Sequence, residues 1–164
     1  MIRSLAGLGL LVSALAPPAA AVEPMGEITA NFGGESLRWE TLRRESAAGS
    51  TATVQLSAAG PITMLNIHAM GDGDIGIQIL YFAAMSHDRP PDGITLELTR
   101  ADGRWSSKDA PRRAEIRFDI LDTETGDGRA EGSFSAVLCR ISEGEPENCR
   151  DIEGRVATDL GIGE

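Results

Sequence analysis

The sequence predicts an all-β fold, an antiparallel β-sandwich or, as the alternative, a closed or partly open β-barrel. Apolar and polar residues alternate with a period of two in one segment after another, as half-buried strands require. Clusters of Gly, Pro and Asp separate these segments at a spacing typical of sandwiches and barrels, and helical periodicity does not recur. The pattern predicts about eight or nine strands.

The first strands are predicted over residues 27–32 and 36–41. In each segment the apolar residues fall at alternate positions and therefore share one face. Val54 and Leu56 indicate a further strand after a stretch of small residues. Trp39 lies on an apolar face and is expected in the core.

Two central strands are predicted over residues 62–69 and 75–85, because apolar side chains occur there at both odd and even positions. The residues between them, Met70 to Asp74, contain two Gly and two Asp. Such a composition is typical of a hairpin turn.

The second half of the chain continues the alternation. Residues 94–99 and 115–120 are predicted strands, and Ile116, Phe118 and Ile120 are expected to share one face. A longer irregular loop is expected between them, over residues 105–113.

The two cysteines, Cys139 and Cys149, are predicted to form a disulfide. They flank a polar loop, residues 142–148, between predicted strands at 130–141 and 149–160. Cysteines that face each other across a hairpin are close enough to be bridged. A metal site or free thiols are the alternatives, but neither histidine shows a metal-binding spacing to the cysteines.

The N-terminus has the pattern of a secretory signal peptide. Arg3 precedes an uncharged apolar stretch, then two prolines and three alanines. We expect cleavage after Ala21, with residues 22–164 forming a single domain outside the cytoplasm, either periplasmic or extracellular, and no membrane span after cleavage. The single lysine among the basic residues favours a bacterial gene of high GC content.

The charge balance argues against nucleic acid as a partner. The chain carries 15 basic and 25 acidic side chains, and loss of Arg3 would leave 14 basic residues and a formal charge of −11. A protein with this charge is repelled by a polyanion at long range.

No catalytic residue is predicted. The chain lacks a Gly-x-Ser-x-Gly nucleophile motif. The segment most similar to that motif, residues 132–136, is predicted to be part of a strand. His68 or His87 could supply a base, but His68 is also explained as a structural histidine in an apolar strand and His87 as a loop residue.

A weak alternative is a calcium loop formed by Asp122, Glu124 and Asp127. Its glycine falls one place early for an EF-hand, and a serine stands where the bidentate glutamate belongs, so a β-turn is the favoured interpretation. The same interpretation applies to Asp72 and Asp74. No cofactor is expected.

Trp105 is the candidate contact to a ligand or partner, because it is a large aromatic in an expected loop. The sequence therefore predicts an exported, non-catalytic module with a binding or structural role in the cell envelope, whose partner is an unidentified protein or small molecule. The alternatives are a small secreted hydrolase with an unrecognised site and a calcium-stabilised module.

Overall fold

The computed structural model describes residues 21–46, 49–59, 62–72, 75–84, 93–123, 128–141 and 148–162. In these ranges the regular elements are twelve β-strands. They are β1 (Ala21–Phe32), β2 (Glu35–Ser46), β3 (Gly49–Ala52), β4 (Val54–Ala59), β5 (Ile62–Met70), β6 (Gly76–Ala84), β7 (Gly93–Arg100), β8 (Gly103–Ser106), β9 (Glu115–Asp122), β10 (Arg129–Arg140), β11 (Cys149–Asp159) and β12 (Gly161–Ile162). Among the described residues there is no helix long and apolar enough to cross a bilayer.

Eight of these strands close into an antiparallel barrel. The circuit runs β5–β6–β7–β8–β10–β11–β1–β2, and β2 returns to β5 through the pair Glu40 and Met70. The all-β, antiparallel prediction is confirmed, and the arrangement is the barrel that the sequence left open as the alternative to a sandwich.

The junction between β2 and β5 is reinforced by the segment that connects them. β3 pairs with β2, and β4 pairs with β5. Between β3 and β4, the Thr53 N–H donates to the Leu42 carbonyl at 2.9 Å, and the Thr53 carbonyl accepts from the His68 N–H at 2.8 Å. One residue thus links the two strands where only a single β2–β5 pair forms.

Side chains fill the barrel interior, as expected for a barrel of eight strands. The largest fully buried side chains are Trp39, Trp105, Phe32, Ile28, Leu65, Ile67, Ile77, Ile79, Leu96, Leu98, Leu138 and Ile152. The core position predicted for Trp39 is confirmed, since this residue is 1% exposed. A buried polar contact spans β1, where the hydroxyls of Thr41 on β2 and Thr158 on β11 lie 2.7 Å apart.

The disulfide is present and lies where the last hairpin was predicted. Cys139 on β10 is the direct cross-strand partner of Cys149 on β11, with Cα atoms 4.0 Å apart. Such a bond is consistent with a non-cytoplasmic location.

A β-bulge in β9 overturns one detail of the alternation. The register changes between Glu131 and Gly132 of β10, so one extra β9 residue, Asp119, is accommodated there. Ile120 therefore pairs with outward-facing Glu131 and is 44% exposed. The prediction that Ile116, Phe118 and Ile120 share one face is wrong for Ile120, because an inserted residue reverses every later side chain.

The loop expected at residues 105–113 is shorter than predicted. Its first two residues belong to β8, which pairs with β7 and with the end of β10. β8 contains only four residues. Alternation cannot be recognised in so short a segment, and its pairing depends on strands that are distant in sequence.

Candidate functional site

A groove lies on the outer wall of the barrel, across the five adjacent strands β2, β1, β11, β10 and β9. Its volume is about 890 Å³. We call it the outer-wall groove, and its outward-facing residues form two parallel rows that run across the strands. The rows follow directly from the strand register.

The first row places three arginines at every second strand. Its members are successive cross-strand partners on β2, β1, β11, β10 and β9, in the order Arg38, Thr29, Arg155, Ser133 and Arg117. Neighbouring strands lie about 4.8 Å apart, so the backbones of successive arginines are roughly 10 Å apart. We call this set the arginine row.

The second row lies two residues away along each strand, at a distance of roughly 7 Å. Its members, on the same five strands, are Ser36, Asn31, Glu153, Ser135 and Glu115. We call this set the acceptor row, because its charged members are carboxylates and its other members carry hydroxyl or amide oxygens. The groove thus combines donor-only guanidinium groups on one side with oxygen acceptors on the other.

The charges of the two rows are only partly compensated. Arg38 forms an ion pair with Glu27 at 2.8 Å, and Arg155 lies 3.5 Å from Asp119. Among the described residues, Arg117, Glu115 and Glu153 have no ion-pair partner. These three charges remain available to a molecule that enters the groove.

Short residues alternate with the charged ones along the groove, and a glycine lies beneath its central strand. The short side chains of Thr29 and Ser133 separate the arginines. On β11, Gly154 has no room for a side chain, because a Cβ atom there would lie 2.4 Å from the Thr29 carbonyl oxygen and 2.6 Å from Cζ of Phe134. Glycine therefore lets β1, β11 and the Phe134 ring approach each other closely beneath the rows.

Trp105 lies in an aromatic–arginine cluster at one end of the barrel. Its ring meets Phe32 edge to face with centroids 5.0 Å apart, and the Arg150 guanidinium lies 5.1 Å from the Trp105 ring centroid. The indole N–H donates to Asp102 at 3.4 Å. Trp105 is 1% exposed and belongs to β8, so its expected position in a loop is wrong. Contact with a ligand stays a prediction, and it would require Arg150 to move aside.

Three of the other candidate residues, His68, Asp72 and Asp122, lie in the part of the chain that the structure describes. His68 is exposed on β5, and its ring has no hydrogen bond within the described part of the chain. Asp72 and Asp122 are exposed on the β5–β6 connection and at the end of β9. The remaining candidates, His87, Asp74, Glu124 and Asp127, lie outside the described residues. In the described ranges, no group of three or more His, Cys, Asp or Glu residues could hold a metal ion.

Among the titratable groups in the described ranges, two have a displaced pKa, and neither belongs to the groove. Partial burial raises the pKa of Tyr81, whose ring meets Phe118 edge to face at 5.3 Å. A hydrogen bond to Glu131 raises the pKa of Arg129, which also lies 2.9 Å from Asp159. Both groups therefore keep their ordinary charge states near neutral pH.

Comparison with protein-family models, curated proteins and solved structures found no match. The outer-wall groove was missed in the sequence because its charged residues come from three segments whose register was unknown. One local signal was present: an acid or serine stands two residues before each arginine of the row, as in Glu115 and Arg117 or Glu153 and Arg155. On a strand, residues with this spacing share a face.

Proposed function

We propose that this protein is an exported, non-catalytic module that acts in the periplasm or outside the cell and binds a partner in the outer-wall groove. The observation that carries the proposal is the pair of rows across five strands, with Arg117, Glu115 and Glu153 lacking an ion-pair partner among the described residues. Exposed polar and charged groups that converge on one groove are typical of a binding surface.

The filled interior supports an outer binding surface. Within the described residues, the core positions at the centre of the barrel are occupied by large side chains such as Trp39, Leu65 and Leu98, each at most 1% exposed. The surface that a partner can contact is therefore the outer wall of the barrel and not its filled interior.

The chemistry of the groove selects a partner that carries both charges. Arginine side chains only donate hydrogen bonds, whereas carboxylates only accept them. A simple polyanion would be attracted to the arginine row but repelled by Glu153 and Glu115 in the acceptor row. A partner surface with acids and bases in adjacent rows satisfies both.

Site-specific photocrosslinking tests whether the groove binds. A photoreactive residue at Ser135, in the acceptor row, should give discrete adducts when the purified protein is mixed with an envelope extract. The matched control is Gln55, which is exposed on β4 outside the groove. Adducts from position 135 should disappear when Glu153→Arg reverses a groove charge. Equal labelling from positions 135 and 55, or no labelling from 135, would contradict a binding role for the groove.

Export is tested separately by the mass of the processed chain. When the full chain is expressed in a bacterium with an outer membrane, we expect the protein in the periplasm or medium with Val22 as its first residue. An unprocessed chain retained in the cytoplasm would contradict export and leave the groove test unaffected.

A further inference from the structure

We infer that the partner that fits the outer-wall groove is a second copy of this chain, bound face to face about a two-fold axis. The inference rests on the proposed role of the groove as a binding surface. A two-fold axis generates an interface in which the same surface patch occurs on both sides, so that patch must be complementary to itself.

The two rows have this property. When the axis lies between the rows and runs parallel to them, each strand faces the same strand of the second copy, and the arginine row faces the acceptor row. Arg155 then faces Glu153 of the second copy, and Arg117 faces Glu115 of the second copy. By symmetry each contact occurs twice, which gives four ion pairs between the copies.

The uncharged positions are also compatible. Arg38 faces Ser36 of the second copy, and the small Thr29 faces Asn31 of the second copy. The remaining contact joins the hydroxyls of Ser133 and Ser135. Each of these pairs can form a hydrogen bond, and none places like charges together.

The alternative two-fold axis, which runs along the strands, fails this test. It would place each row opposite the same row of the second copy. Arg155 would then face Arg155 of the second copy, and Arg117 would face Arg38 of the second copy. Repulsion between like charges selects against that arrangement.

Three of the four charges that form the intermolecular ion pairs have no ion-pair partner among the described residues. Arg117, Glu115 and Glu153 have no ion-pair partner there, so their intermolecular contacts replace none. Arg155 lies 3.5 Å from Asp119 with both side chains more than half exposed, and a guanidinium can contact a second carboxylate through its other donors.

Analytical ultracentrifugation over a wide range of protein concentration tests the inference. The wild-type chain should change from monomer to dimer as concentration rises. Glu153→Arg and Arg155→Glu should each weaken dimerisation about tenfold or more, since each replaces two attractive contacts with two repulsive ones.

Mixing the two variants gives the decisive result. In a pair made of one Glu153→Arg chain and one Arg155→Glu chain, every arginine at positions 153 and 155 faces a glutamate. The mixture should therefore dimerise, although each variant alone stays monomeric at the same concentration. Arg104→Glu is the matched control, because Arg104 is exposed and pairs with Glu97 outside the groove.

The failures can be distinguished. A wild-type chain that stays monomeric at every concentration overturns self-association, whereas adducts of unlike mass in the photocrosslinking experiment would still support a binding groove. A dimer that persists in both charge-reversed variants, or a mixture that does not dimerise, also overturns the inference because the copies then meet through another surface.

Discussion

Opening the Cys139–Cys149 disulfide should lower the free energy of unfolding by about 2.7 kcal/mol. The bridge closes a loop with a sequence separation of 10. In the chain-entropy model, closing a loop of that length removes about 9 cal/mol/K from the unfolded chain, which at about 298 K corresponds to the stated free energy. For roughly 140 folded residues the unfolding entropy is about 0.3 kcal/mol/K, so the melting temperature should fall by about 9 °C.

Urea denaturation with and without reductant measures this change, with the fluorescence of the buried Trp39 and Trp105 as the signal. Reduction removes no side-chain heavy atom, so it changes the loop constraint with little change in packing. Cys139→Ala/Cys149→Ala is the control and should agree with the reduced wild type within about 1 kcal/mol, because only small groups are removed. A reduced protein as stable as the oxidised one would refute the reasoning.

Three further predictions concern the core and the wall. Gly154→Ala should lower the free energy of unfolding, measured by urea denaturation, by about 1–3 kcal/mol, because the new Cβ would lie 2.4 Å from a backbone oxygen. The control Gly93→Ala should be close to neutral, because no atom lies within 4 Å of its Cβ position. Equal losses in the two variants would contradict this prediction. Thr158 donates to the Asp159 carbonyl at 3.0 Å and so accepts from the Thr41 hydroxyl. Thr158→Val would leave the buried Thr41 hydroxyl without an acceptor, so it should lower the free energy of unfolding by about 1–3 kcal/mol, more than Thr41→Val does. The double variant should recover part of that loss in the same assay, and a fully additive loss would count against the hydrogen bond. Burial raises the pKa of Tyr81 above 10.0, so wild-type stability should be retained below about pH 10 and should fall as pH rises through the higher folded pKa. Tyr81→Phe should remove this part of the stability loss at alkaline pH. The same dependence of melting temperature on pH in wild type and Tyr81→Phe would contradict the prediction.

Most strand positions could be predicted because they depend on short-range patterns. The alternation over residues 94–99 and 115–120 predicted β7 and most of β9, and the cysteine spacing predicted the last hairpin and its bridge. Alternation is a local consequence of the pleat, since successive side chains point to opposite faces. It is therefore visible without knowledge of strand partners.

Ile120 and Trp105 show where local patterns were insufficient. Ile120 continues an apolar alternation in sequence, but a bulge opposite Glu131 and Gly132 turns it outward. Trp105 follows a turn and resembles a loop residue, yet β8 pairs with both β7 and β10 and buries it beneath Arg150. In both cases the outcome depends on a strand that lies far away in sequence.

By itself the sequence determined the all-β class, the approximate positions of most strands and the Cys139–Cys149 pairing, because period-two alternation and cysteine spacing act over a few residues. The tertiary structure alone decided that the strands close into a barrel and that Arg38, Arg155 and Arg117 stand in one row. Register determines which residues become neighbours, and it is set by packing and hydrogen bonds between strands that are distant in the chain. The proposed binding surface exists only at that level.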